Sequence, residues 1–175
     1  VLTAGSAAAL GIVTGLQFLP FLLLAPWAGL IADRFSKRRI LLATQTLLAL
    51  SSLLLGILAV TGAAQLWQVY AIALFQGVVT AIDNPARQAF VSEMVPDDKL
   101  TNAVSLNSAS FNLGRLIGPG LAGVVIALWG VGPALMLNTV TFVFVLVALL
   151  RLRTGELRPA PRAKGRGGIR EGFHY

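Results

Sequence analysis

Gly29-Leu30-Ile31-Ala32-Asp33-Arg34-Phe35-Ser36-Lys37-Arg38-Arg39 is the stretch on which the fold turns. An apolar run precedes it, from about Ala7 to Ala32, and another follows, from about Ile40 to Val60. Each matches the roughly 20 apolar residues that a helix needs to cross a hydrocarbon core of ~30 Å. The segment between them is short and carries Arg34, Lys37, Arg38 and Arg39, so it reads as a tight turn at one membrane face. Working outward from this hairpin, three more runs qualify by length: Leu66 to about Ala89, about Leu106 to Trp129, and about Pro133 to Leu150. Strands of a membrane barrel would be about ten residues long and would alternate apolar with polar; no such alternation is visible. The first run is not a signal peptide, because it is too long, lacks a basic start and is followed by more of its kind.

Composition agrees. Of 175 residues, 56% are hydrophobic and 12% are charged, whereas soluble domains average about 25% charged residues. So little charge cannot cover the surface of a soluble protein of this size. A soluble enzyme or DNA-binding domain is excluded on that ground, despite a formal charge of +7. Disorder needs low hydrophobicity and is excluded too. The absence of cysteine removes disulfides, thiolate zinc sites and cysteine nucleophiles. One histidine, His174, cannot make a histidine-rich metal cluster. No Walker A sequence, metal-ligand spacing or Gly-x-Ser-x-Gly turn is present. The chain is expected to be no enzyme and to need no cofactor.

Charge then gives orientation. The first turn is basic, the connection between the third and fourth runs holds Glu93, Asp97, Asp98 and Lys99, and the tail 151–175 is strongly basic. The other two connections, Thr61-Gly62-Ala63-Ala64-Gln65 and Gly130-Val131-Gly132, carry no charge. The positive-inside rule puts the charged connections and the tail in the cytoplasm. Twelve of the 14 Lys and Arg residues fall there, and the other two are Arg87 and Arg115 within spans. The basic tail follows a span directly, so headgroup contact explains it better than nucleic acid does. Trp67, Tyr70 and Trp129 fall near the opposite ends, as an aromatic belt would.

The first turn resembles the signature loop between helices 2 and 3 of the major facilitator superfamily, G-x-L-A-D-R-x-G-R-R, with Ile31, Ser36 and Lys37 as the departures. Gly114-Arg115-Leu116-Ile117-Gly118-Pro119-Gly120-Leu121-Ala122-Gly123 resembles the family's helix-5 pattern of exporters and antiporters, with Ala122 in place of one glycine. Together with Asp83-Asn84-Pro85-Ala86-Arg87 and Asn102-Ala103, these runs resemble the enterobactin-exporter-like efflux branch. The resemblance implies an all-α membrane protein, the spans being helices 2 to 6 of an N-terminal six-helix half. Helix 1 and the C-terminal half of the carrier are then missing from this sequence. The start at Val1 and the odd number of spans fit a piece cut at both ends. Residues Gly29, Asp33, Arg34, Lys37 and Arg38 are implied to form a conformational-switch loop. Many proton-coupled members carry an arginine three residues before a Gln-Gly pair; here that position is Ala73, before Gln76-Gly77.

The residues themselves add two expectations. Gly29, and the run of Gly114, Gly118 and Gly123, offer faces on which another helix can approach closely. Pro119 removes a backbone hydrogen bond and permits a bend. Asp83, Arg87 and Arg115 are charges at membrane depth, which are costly and usually face a bundle interior or water. Asp83 can pair with Arg115 on the next, antiparallel span, or with Arg87 at i+4. The function that follows is secondary active export of a small molecule across an inner membrane, with the substrate between two halves that rock. An ion gradient, of protons in the family, would drive it. An uptake carrier of the same superfamily and a nontransporting membrane scaffold are the rivals. The expected partners are the lipid bilayer, the substrate and the rest of the carrier; nucleic acid is not among them.

Overall fold

The computed structural model describes residues 7–152, with the side chains of Pro26, Asp33 and Asp97 left outside that description. Five long helices make up almost all of it: α1 (Ala7–Arg34), α2 (Lys37–Thr61), α3 (Leu66–Glu93), α4 (Leu100–Trp129) and α5 (Val131–Arg151). A single 3-10 turn, Asp97–Lys99, links α3 to α4. At 1.5 Å per residue the shortest helix, α5, is about 31 Å long and α3 about 42 Å, each enough to cross a bilayer core. All five contain a window apolar enough to do so. The protein is an all-α membrane fold with no strand among the described residues.

The helices overrun the apolar runs at the charged end. α3 continues to Glu93 rather than stopping near Ala89, and α4 begins at Leu100 rather than near Leu106. Apolarity marks only what lies in hydrocarbon, while backbone hydrogen bonding carries a helix on into the headgroup zone. At the uncharged end the turns are tight. Gly62 ends α2 with φ +70°, the left-handed conformation that a side chain disfavours. Gly130, at φ +87°, alone separates α4 from α5.

Chain order does not set the packing order. α1 packs chiefly on α3, α2 lies between α3 and α5, and α4 touches α3 and α5 only lightly. The surface is far more apolar than that of a soluble protein, and the interior mixes apolar with polar side chains. Leu22, Leu116, Phe144 and many other large apolar residues are exposed, whereas Thr44, Gln45, Ser51, Ser52, Asp83 and Glu93 are buried. With lipid outside, apolar side chains gain nothing by hiding, and small or hydrogen-bonding residues are what bring helices together.

α2 shows this on two sides. Gln76 Nε2 on α3 donates to Ser51 Oγ at 3.1 Å. On the other flank Ser52 Oγ donates to the Leu135 carbonyl at 3.1 Å, and Asn138 Nδ2 donates to Ser52 Oγ at 3.1 Å. Each such bond contributes about 0.6 kcal/mol on average in a membrane. Close backbone approach supplies the rest. A Cβ on Gly77 would sit 2.6 Å from the Gln17 carbonyl oxygen, so α1 and α3 are in near contact there. Gly132 is likewise pressed against Val60, and Gly56 against Met136. At the charged end Ala32, Ile40, Leu41, Ala86, Phe90 and Leu149 form an apolar plug shared by α1, α2, α3 and α5.

Candidate functional site

The polar residues gather at the charged end of the bundle, in three linked contacts. The deepest centres on Asp83, which is 3% exposed and lies about 15 Å from the end of α3. Its Oδ1 accepts from Thr44 Oγ1 at 2.5 Å and from Gln45 Nε2 at 2.9 Å, both on α2. Its Oδ2 accepts two bonds from Arg87, at 3.2 Å from Nε and 2.8 Å from Nη2. Both oxygens are thus met by donors, which satisfies a charge that would otherwise be very costly at this depth. Pro85 lies between the two partners on α3. It removes the bond that would run to the carbonyl of residue 81, yet the helix continues through it.

Closer to the membrane face, Lys37 Nζ lies 3.0 Å from Glu93 Oε1, with the two side chains 12% and 9% exposed. The helix macrodipole disfavours a cation at the first residue of α2 and an anion at the last residue of α3. The antiparallel packing of the two helices places these ends side by side, and each charge neutralises the other. Beside it, Arg38 Nε donates to the Leu149 carbonyl at 2.8 Å and Nη2 to the Leu150 carbonyl at 3.0 Å. These carbonyls belong to the last turn of α5, where intrahelical donors run out. Lys37 and Arg38 therefore tie the start of α2 to the ends of α3 and α5.

Of the other loop residues, Arg34 is exposed and the Asp33 side chain lies outside the described residues. A Cβ on Gly29 would meet nothing within 4 Å among the described residues, so the face it offers is open there. The same is true of Gly114, Gly118 and Gly123. The reason is the light packing of α4, which contains Pro119 and has no buried residue along its length. Arg115 does not join Asp83 either. It is exposed on α4, with its guanidinium 5.9 Å from the centre of the Phe111 ring. Of the two pairings open to Asp83, the structure makes the one with Arg87.

Between α3 and α4 at the same end is a half-open cavity of about 830 Å³. Asn84, Arg87, Gln88 and Ser92 form its α3 wall; Asn107, Ser108, Ser110, Phe111 and Asn112 form most of its α4 wall. No motif in the sequence singles out Thr44, Gln45, Glu93, Asn107 or Asn112 as site residues. The signal for Glu93 was an acid at a helix C-terminus, and its partner became visible only with the α2–α3 register. No group of three or more metal-ligating side chains occurs among the described residues.

Comparison with known proteins fits this architecture. The family model described as "Transmembrane secretion effector" matches residues 2–175. The staphyloferrin A transporter of Staphylococcus aureus is 37% identical over 128 residues, 73% of this chain and 32% of that protein. Macrolide efflux protein A of Streptococcus pyogenes is 22% identical over 95% of this chain and 41% of its own length. The multidrug efflux pump Tap of Mycolicibacterium fortuitum is 32% identical over 72% of this chain and 32% of its own. The chain therefore spans well under half the length of these relatives. No solved structure matches it significantly. With a matching family model across nearly the whole sequence and a bundle of five membrane-length apolar helices beneath it, the chain belongs to the transmembrane secretion effector family of major facilitator superfamily transporters.

Proposed function

We propose that this chain is part of a carrier that exports a small molecule by alternating access, with protons as the driving ion. The chain would supply helices of one half, and the substrate would lie between this half and a second one. The charged end would face the cytoplasm. The observation that carries the reading is the pair of contacts from Lys37 and Arg38, which gather three helix ends into a single clasp. Such a clasp can hold one access state and release in the other, because helix ends joined by a few charged contacts have two discrete arrangements. Asp33 and Arg34 extend this loop and are assigned to the same switch. The Asp83–Arg87 pair, anchored by Thr44 and Gln45, braces the clasp from inside; Arg115, exposed on α4, stands apart from it.

Export rather than uptake is supported by the two efflux proteins among the relatives and by the Gly118-Pro119 pattern of α4. The test is flux in proteoliposomes of the full-length protein, with and without an imposed pH gradient. Labelled citrate, tetraphenylphosphonium and erythromycin serve as probes. Gradient-driven movement of a probe in the exporting direction is expected. Movement only in the opposite direction identifies an uptake carrier, and no movement of any probe favours a scaffold.

A further inference from the structure

The α3–α4 cavity has a chemistry more specific than transport in general. Its volume of about 830 Å³ suits a drug-sized ligand. Most of its wall is amide and hydroxyl: Asn84, Gln88, Ser92, Asn107, Ser108 and Asn112 all contribute. A wall of this polarity does not face lipid tails, where each unsatisfied group would be expensive. It therefore faces water, protein or a polar ligand.

The electrostatics are one-sided. Among the described residues, the charged one lining the cavity is Arg87, and no acidic one lines it. Although Arg87 is paired, the pair is oriented: its side chain is 45% exposed while that of Asp83 is 4% exposed. The carboxylate sits behind the guanidinium against α2, so a molecule in the cavity meets the cation first. Nε and Nη2 are spent on Asp83, which leaves Nη1 to point elsewhere. A second cation, Arg115, stands over the ring of Phe111, itself part of the α4 wall. Arg115 lies outside the lining, one turn along α4 from it, so the positive charge that a ligand in the cavity meets is the outward face of Arg87, with Arg115 nearby. Guanidinium recognises carboxylate and phosphate oxygens by paired, charge-assisted bonds, and the surrounding amides can satisfy hydroxyls or carbonyls on the same molecule.

We infer that this cavity is a subsite for an anionic, oxygen-rich small molecule bearing carboxylate or phosphate groups, and that it discriminates against lipophilic cations. The inference rests on the transport reading above and names the substrate class of that carrier. It is tested by calorimetry on the detergent-purified full-length protein, with citrate and inorganic pyrophosphate as anionic probes and tetraphenylphosphonium as the cationic one. At least one anion is expected to bind, with affinity falling as salt rises, and the cation is not.

Two substitutions then report on the cavity. Ser108→Asp places a carboxylate in an exposed part of the wall and is expected to weaken anion binding at least tenfold. Thr101→Asp, which adds the same charge on α4 outside the lining, is expected to change it less than threefold. Arg115→Gln is expected to weaken binding several-fold while leaving the thermal unfolding midpoint in place. Binding of the cation, absence of binding by both anions, or an unchanged anion affinity in Ser108→Asp overturns the inference. The flux assay separates this from the parent reading. A protein that moves tetraphenylphosphonium or erythromycin is a carrier with a different substrate class, whereas one that binds citrate but moves nothing is not a carrier.

Discussion

Asp83 has four hydrogen bonds, and two of them come from a single side chain one turn away. Arg87→Ala therefore leaves a deeply buried carboxylate with only neutral donors. A hydrogen bond to a charged group contributes about 1.5–3 kcal/mol, and the exposure of Arg87 on its outer side puts the expected loss near the lower end. A thermal unfolding measurement in micelles should show a lowered midpoint, with Asp83→Asn in the same chain recovering part of it. Full stability in Arg87→Ala would mean that the pair is not the anchor described here. The i, i+4 spacing made this pairing legible in the sequence as one of two choices. The donors from α2 were not legible, because Thr44 and Gln45 meet Asp83 only once two helices are set in register. Lys37 was visible as a member of a basic cluster. Its partner Glu93 was not, since an acid at the end of α3 looks like an ordinary loop charge until the start of α2 is placed beside it.

Among the helices, small residues show what periodicity can and cannot tell. The Gly114, Gly118 and Gly123 series marks a face on which close approach is permitted, but permission is not contact, and that face of α4 is open among the described residues. The tight crossing is at Gly77, a lone glycine beside Gln76 that belongs to no repeated pattern. Gly77→Ala puts a methyl 2.6 Å from a backbone carbonyl that cannot swing away. Overpacking of this kind costs about 1–3 kcal/mol, so the variant should unfold at a lower temperature and α1 should become more accessible to protease. Gly118→Ala is expected to behave oppositely. It meets no neighbour within these helices and gains about 1 kcal/mol of intrinsic helix preference. Its unfolding midpoint should hold or rise. A fall in flux with stability retained would show that this face of α4 works against a surface outside the described bundle.

At the scale of the whole molecule, composition alone separated this chain from soluble proteins, because 12% charged residues cannot solvate a surface of this size. The five-helix fold class was legible for the same reason. The order in which helices pack was not, since it depends on polar seams along α2 that hydropathy averages away. The sidedness proposed from the basic residues can be tested by cysteine labelling, since these 175 residues contain no cysteine. A membrane-impermeant maleimide added to intact cells should label Ala64→Cys and spare Ser36→Cys; the reverse pattern would invert the topology. The central claim is that the clasp at the charged end controls access. Flux of whichever probe the native protein carries, measured for Lys37→Glu, Glu93→Lys and the two together, tests it most directly. Each single reversal sets like charges against each other in the poorly solvated contact where Lys37 Nζ and Glu93 Oε1 lie 3.0 Å apart and should cut flux at least tenfold, with the double reversal restoring most of it. Near-normal flux in both single variants, with protein correctly inserted, would contradict the account.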